Sequence, residues 1–153
     1  MPELVPQAIT RWLEKHRLTL RAIEPLHGGS VARISCLQLS DYRGRAQSMV
    51  LKQMPAAPAT LFSAEAAGLQ ALAECQRWHG GGLRIPAVYW VDAQCLLLEY
   101  LPAAQRTPDF DRLLGTGLAR QHRQRAATFG FAEDTFCGGT RQTNRQDADG
   151  YRF

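Results

Sequence analysis

Hydrophobic and polar positions alternate in two different ways along the first third of the chain. Residues 6–16 carry Ile9, Trp12 and Leu13 at helical spacing, which predicts a short amphipathic helix. Three later segments have the pattern of β-strands, namely residues 18–26, 31–39 and 48–54. A polar turn that contains a glycine, residues 41–45, joins the second and third of them. We therefore predict an antiparallel meander of three strands.

The middle of the chain predicts one helix and two more strands. Residues 59–78 are rich in Ala, Leu, Glu and Gln, contain no proline, and repeat apolar positions every three or four residues. Residues 85–91 and 95–101 then form two strand-like runs joined by a short polar link. The expected fold class is α+β, with a five-stranded antiparallel sheet and one helix inserted between its third and fourth strands.

The composition changes again after Pro102. Thr107, Pro108 and Asp109 offer a capping hydroxyl, a proline for the first helical position and an acid for the first turn. The helix that follows has an apolar stripe at Phe110, Leu114 and Leu118, with His122 at its end. The polar tail has too few apolar residues to cover this stripe, so we expect its partner to lie beyond Phe153.

These changes divide the chain into two parts. Residues 1–101 are predicted to form one complete small lobe, and residues 102–153 a linker and the beginning of a second, helical lobe. Without its partner, the apolar surface around Leu114 and Leu118 is expected to be exposed and to promote self-association.

Composition and charge exclude several classes of protein. The chain has 153 residues, 45% of them hydrophobic, and a formal net charge of +4 that is not concentrated in a basic stripe, which argues against a nucleic-acid binder. It has neither an apolar run long enough to cross a membrane nor a secretory leader, so we expect a cytoplasmic protein with no membrane partner. The four cysteines include no C-x-x-C pair and are expected to be small buried thiols.

The candidate chemistry lies in four short segments. Gly28, Gly29 and Ser30 separate two predicted strands and form either an ordinary turn or a loop over phosphates. Lys52 is one of only two lysines and sits in an apolar strand, either snorkelling to solvent or binding an anion. Glu65 shares the inner stripe of the predicted helix, where a carboxylate needs a cation such as Lys52, although surface placement remains an alternative.

The fourth segment is the end of the fifth strand, where an apolar run closes on Glu99, Tyr100 and Leu101. The order of the four segments, namely glycine turn, strand lysine, helix glutamate and apolar strand before a linker, resembles the nucleotide-binding lobe of the protein-kinase-like fold.

A more specific set of motifs is Gly28-Gly29-Ser30-Val31, Val50-Leu51-Lys52, Phe62-x-x-Glu65-Ala66-x-Gly68-Leu69, Leu96-Leu97-Leu98-Glu99-Tyr100-Leu101, Leu114-Gly115-x-x-Leu118-Ala119-x-x-His122, Phe129-Gly130-Phe131, Asp134-Thr135-x-Cys137-Gly138 and Gln142-x-Asn144. Through these motifs the chain resembles the fructosamine kinases, also called ketosamine-3-kinases, over residues 5–153. The chain departs from the family at Arg141, where a proline is usual, and in the residues after Asn144.

The resemblance implies transfer of the γ-phosphate of ATP, with Mg²⁺, to the sugar of a ketoamine such as a fructosamine or ribulosamine, in the repair of glycated amines and proteins. Gly28, Gly29 and Ser30 would cover the phosphates, Lys52 would hold them and Glu65 would orient Lys52. The adenine would meet the hinge at Glu99, Tyr100 and Leu101. His122 and residues 129–138 are expected to shape the second lobe rather than touch ATP.

The resemblance also implies limits on this chain. No H-G-D, H-R-D or D-F-G triplet occurs, so the catalytic-loop aspartate and the magnesium ligands are expected outside this sequence, with no catalytic residue inside it. We therefore expect the chain alone to be close to inactive. The alternatives are a non-catalytic remnant of the kinase lobe and a small-molecule kinase of the aminoglycoside- or choline-kinase type.

Overall fold

A computed structural model describes residues 5–28, 31–79 and 83–152. Its main sheet has five strands, β1 (Thr19–Pro25), β2 (Arg33–Ser40), β3 (Ala46–Gln53), β4 (Val88–Val91) and β5 (Cys95–Glu99), in the spatial order β1-β2-β3-β5-β4. Every neighbouring pair in this sheet is antiparallel. Three helices accompany it, α1 (Gln7–Lys15), α2 (Leu61–His79) and α3 (Phe110–His122), and a small hairpin follows, β6 (Thr135–Cys137) and β7 (Thr140–Gln142). The predicted α+β class and the five-stranded antiparallel sheet are confirmed.

The β2–β3 hairpin is the longest strand pair and forms where the polar turn predicted it. Its register runs without a shift from Arg33 opposite Gln53 to Ser40 opposite Ala46. In the turn, the Asp41 carboxylate accepts hydrogen bonds from the backbone N–H groups of Arg43 and Arg45, at 2.8 and 2.9 Å. This side-chain acceptor satisfies turn donors that the strand ladder leaves unpaired.

The sheet has two covered faces because successive side chains of each strand point to opposite sides. The helix α1 covers one face, where its buried Ile9 and Leu13 join a cluster with Leu37, Leu39, Met49, Leu51, Cys95 and Leu97. The helix α2 covers part of the other face, where Leu61, Phe62 and Ala66 pack with Leu96 and Leu98. The sheet is therefore the middle layer of a helix–sheet–helix arrangement.

Two predicted boundaries differ from the structure by three residues, and the others by two residues or fewer. The strand predicted over residues 85–91 begins only at Val88, because Pro86 has no N–H to donate to a ladder. The helix predicted to begin at Thr107 begins at Phe110, whose N–H donates to the Thr107 carbonyl at 3.0 Å in a preceding turn. Asp109 holds the cap position with no side-chain capping bond, so the predicted hydroxyl cap is wrong.

The apolar stripe of α3 is only partly covered. Leu113 and Leu118 are 55% and 38% exposed, whereas Leu114 is half-buried, so the exposed residues differ in part from those expected. The helix approaches Leu83 through Gly117, where an added Cβ would lie 2.8 Å from the Leu83 side chain. The close approach therefore depends on position 117 being a glycine, which has no side chain.

The cysteines differ from one another in burial. Cys36 and Cys95 are buried in the sheet, and burial, followed by the charge of Asp92, raises the pKa of Cys95 to about 12. Cys75 is half-buried and Cys137 is exposed, so the expectation of uniformly buried thiols holds for two of the four. Within the described residues, no helix is both long and apolar enough to cross a bilayer.

Candidate functional site

Lys52 lies on β3, which is paired on both sides, with Ile34 of β2 and Leu96 of β5 as its register neighbours. Alternation along β3 places its side chain on the face that α2 partly covers, opposite the α1 cluster. The direction of Lys52 is therefore set by the same pattern that buries Met49 and Leu51 on the other face.

Glu65 meets Lys52 from α2, one turn after the helix begins. The Lys52 ammonium donates to both carboxylate oxygens of Glu65, with Nζ 2.5 Å from Oε1 and 2.7 Å from Oε2. The two side chains retain 22% and 34% exposure, so the pair is sheltered while still open to a ligand. The ion pair expected from the apolar strand and the inner helix stripe is present.

The ion pair forms part of the wall of a cavity of about 430 Å³. Most of the remaining lining is apolar and comes from β2, the chain just before it, α2 and the distant hairpin. The lining residues are Val31, Ala32, Ile34, Lys52, Leu61, Phe62, Ala64, Glu65, Gly68, Thr135, Phe136 and Gly138. A partly exposed cation in a largely apolar cavity suits a ligand that carries an anionic group.

Thr135, Phe136 and Gly138 were missed as site residues at the level of sequence. The segment that contains them was expected to shape a second lobe, whereas the structure packs β6 against α2 and places these three residues in the cavity wall. A signal for the hairpin was available, because Gly138 and Gly139 stand between short runs of β-forming residues. The chain gives no local signal for the surface on which the hairpin packs.

The glycine turn is described in part. Gly28 has a φ of +124°, a conformation that side-chain-bearing residues rarely adopt, which accounts for a glycine at this position. Gly29 and Ser30 lie outside the described residues, and their predicted role over phosphates stays a prediction. Val31, directly after them, lines the cavity and brings this end of the turn to the same opening as Lys52.

Glu99 ends β5 opposite Met49, three register positions from Lys52 along β3. At the usual strand rise, this separates the two positions by about 10 Å. Neither Glu99 nor the next two residues, Tyr100 and Leu101, is among the residues that line the cavity. The residues predicted to form the hinge and the ion pair thus lie at two separate places along the sheet.

The Glu99 carboxylate is already engaged by the chain before β4. It accepts a hydrogen bond from the Ala87 N–H at 3.2 Å and pairs with the Arg84 guanidinium. The hydrogen bond from Ala87, followed by that from Arg84, lowers the pKa of Glu99. This side chain ties the start of the linker to the segment before β4.

The sequence model of the fructosamine kinases matches residues 4–153, which is nearly the whole chain. The chain belongs to the fructosamine kinase family. The resemblance drawn from the sequence motifs is therefore confirmed.

Individual relatives agree with this family membership. A curated protein of Thermus thermophilus, named "Probable ketoamine kinase", is 39% identical over 114 residues, which cover 74% of this chain and 36% of that protein. Two crystal structures provisionally named fructosamine-3-kinase show the same fold. The one from Haemophilus somnus 129PT has a TM-score of 0.72 at 22% identity, covering 92% of this chain and 47% of its own. The one from Thermobifida fusca YX-ER1 has a TM-score of 0.71 at 24% identity, covering 94% and 48%.

The chain thus spans between about a third and a half of the length of the fructosamine kinase relatives it matches. In the described part of the chain, no group of three or more His, Cys, Asp or Glu residues is arranged to hold a metal ion. The site residues that the motifs predict and the structure describes lie at the Lys52–Glu65 pair, at the glycine turn and at the end of β5.

Proposed function

We propose that this fructosamine-kinase chain binds ATP and provides the nucleotide-binding part of a ketoamine phosphotransferase. The observation that carries the proposal is the two-point ion pair between Lys52 and Glu65 in the wall of a cavity that the end of the glycine turn also reaches. In kinase-type sites, a strand lysine neutralises phosphate charge and a helix glutamate fixes the lysine in place.

The positions of the remaining groups support this assignment. Lys52 would hold the nucleotide phosphates, and the backbone of Gly28, Gly29 and Ser30 would cover them from above. The adenine would lie about 10 Å away along β3, against the linker backbone at Glu99 to Leu101. Val50 and Leu98, which lie between these two places on the α2 side of the sheet, would give the base an apolar surface.

The acceptor is proposed from the family and from the name of the ketoamine kinase relative. We propose a sugar hydroxyl of a fructosamine or ribulosamine adduct as the group that takes the γ-phosphate, in the repair of glycated amines. Mg²⁺ would neutralise charge on the phosphates of bound ATP, and we assign it no protein ligand among the described residues. Because ATP is an intracellular substrate, we place this activity in the cytoplasm.

Calorimetric titration of the 153-residue protein with MgATP tests the nucleotide-binding part of the proposal. We expect binding that weakens by about ten- to a hundredfold in Lys52→Ala, the equivalent of one charge-assisted contact. Lys15→Ala is the matched control, because Lys15 is the only other lysine and lies on α1, and it should bind as the wild type does.

The absence of binding at millimolar MgATP would reject the proposal and favour a non-catalytic remnant of the lobe. Equal binding by wild type and Lys52→Ala would show that nucleotide binds elsewhere. A separate assay, with ATP and a ribulosamine as substrates, measures phosphate transfer, for which we expect little or no activity from this chain alone.

A further inference from the structure

The β6–β7 hairpin lies more than eighty residues after Lys52 in the chain, yet it contacts both α2 and the residue that follows the glycine turn. The strand β6 packs against α2, the helix that carries Glu65. Within that contact, the Phe136 ring packs on the cluster that Phe62 and Ala66 form with the sheet. Phe62 and Ala66 flank Glu65 on α2, so the hairpin supports the helix at the level of the glutamate.

The turn of the hairpin lies over the residue that follows the glycine turn. Gly138 has a φ of +60°, and a Cβ added there would lie 3.3 Å from Cγ2 of Val31. At Gly139, an added Cβ would lie 3.9 Å from Cγ1 of the same valine. The hairpin therefore touches Val31, just before β2, on one side and α2 on the other.

Several polar contacts fix the shape of the hairpin. The Asp134 carboxylate accepts two hydrogen bonds from the Arg141 guanidinium, at 2.9 and 2.6 Å, and one from the Asn144 backbone N–H at 3.1 Å. The Asn144 side-chain amide donates to Thr135 Oγ1 at 2.7 Å and to the Glu133 carbonyl at 3.2 Å. Both ends of the hairpin are thus joined, and the hairpin meets the lobe as one preformed unit.

We propose that the β6–β7 hairpin is a positioning element, which acts through Phe136 and Gly138 to hold α2 and Val31 so that Lys52 and Glu65 stay paired at the phosphate end of the site. Without the Phe136 ring, α2 loses apolar contact at the level of Glu65 and is free to move away from β3. This inference deepens the proposed function and rests on it for the identity of the ligand, although the hold on the ion pair can be measured without nucleotide.

The two lysines allow a direct measurement of that hold. Competitive acetylation followed by mass spectrometry gives the labelling rate of Lys52 relative to Lys15, which is an internal reference on α1. In Phe136→Ala we expect the relative rate of Lys52 to rise severalfold, towards its value in Glu65→Gln, where the ion pair is lost. Phe136→Leu, which restores an apolar side chain, should return the rate towards that of the wild type.

Tyr42→Ala is the control for loss of an aromatic ring away from the site, because Tyr42 is 67% exposed in the turn between β2 and β3. It should label as the wild type does. A folded Phe136→Ala protein, judged by circular dichroism, with an unchanged Lys52 rate would overturn the proposal. If Phe136→Ala does not fold, Gly138→Ala tests the same contact from the other side, and an unchanged rate there would overturn the proposal equally.

Titration with MgATP separates this proposal from the function on which it rests. Weaker binding in Phe136→Ala that Phe136→Leu restores supports both. Binding by Phe136→Ala equal to that of the wild type rejects the positioning role and leaves the nucleotide site standing. If the Lys52 labelling rate rises in Phe136→Ala but the wild type binds no nucleotide, the hairpin's hold on the ion pair stands and the proposed function is rejected.

Discussion

The Lys52 ammonium and the Glu65 carboxylate form a two-point ion pair between the central strand β3 and the helix α2. Both side chains remain partly exposed, and ion pairs in contact with water contribute about 1 kcal/mol or less to stability. Two apolar clusters, which do not include the pair, pack α1 and α2 against the two faces of the sheet. The ion pair therefore contributes more to the position of the Lys52 ammonium than to stability.

Glu65→Gln should separate binding from stability. The amide keeps the size of the side chain and removes its charge, so Lys52 loses its fixed partner while the packing of α2 is retained. We expect MgATP affinity to fall by about tenfold and the free energy of unfolding to change by about 1 kcal/mol or less. Titration calorimetry and urea denaturation measure the two quantities. Equal affinity in wild type and variant would show that the pair does not serve the nucleotide.

Acid should loosen the hairpin through Asp134. The hydrogen bond from the Asn144 N–H, followed by those from Arg141, lowers the pKa of Asp134 below its ordinary value of 3.8. The charged form is therefore the one that the fold stabilises, and its contribution is complete above about pH 4 and lost as the pH falls through the lowered pKa. Amide hydrogen exchange at Asn144, followed from about pH 5 downward, should show protection lost only in this lower range.

The matched variant for this measurement is Asp134→Asn. It removes the titrating group, so its hairpin should be less protected at neutral pH and should depend less on acid. Loss of protection in the wild type already well above about pH 4 would contradict the assignment to Asp134.

Gly138 and Gly139 should respond differently to the same substitution. Gly138→Ala places a Cβ at a positive φ and 3.3 Å from Val31, whereas Gly139→Ala adds an ordinary contact at 3.9 Å. We expect Gly138→Ala to cost about 1 kcal/mol or more, and Gly139→Ala to be close to neutral. Thermal unfolding of the two variants measures the difference. Equal unfolding midpoints for the two variants would mean that neither the positive φ nor the contact with Val31 requires a glycine at position 138.

The exposed surface of α3 should promote association between copies of the chain. Leu113 and Leu118 leave apolar area in contact with water, and such area favours self-association. Sedimentation velocity over a concentration series should show larger species for the wild type, which Leu113→Lys and Leu118→Lys together reduce. Leu72→Lys, an exposed leucine on α2, is the control. A wild type that stays monomeric throughout would refute this prediction.

The central sheet could be predicted from sequence because its signals are local. The β2–β3 hairpin follows from alternation on both sides of a short polar turn, and the ion pair follows from a lysine on an apolar strand and a glutamate on an inner helix stripe. Helix propensity predicted α2 to within two residues. Capping chemistry misplaced the start of α3, where the Thr107 carbonyl accepts a turn hydrogen bond and no hydroxyl cap forms.

The hairpin at the site could not be predicted in the same way. Its contacts join Phe136 and Gly138 to residues far earlier in the chain, and no periodicity within residues 129–144 indicates the surface it packs on. The polar network of Asp134, Arg141 and Asn144 is also invisible in sequence, because each of these residues is typical of a solvated loop. The position of the hairpin in the site is therefore determined by long-range packing, which the sequence motifs do not reveal.

The alternation along β3 has a consequence for how this protein can change during evolution. Met49 and Leu51 face the α1 cluster, and Lys52 faces the opposite side only because it stands at an odd step from them. An insertion or deletion of a single residue within the strand would turn the ammonium into a dry apolar layer and move Met49 or Leu51 out of it. The packing of the core and the direction of Lys52 thus depend on the same alternation, so this strand tolerates substitutions far better than changes of length.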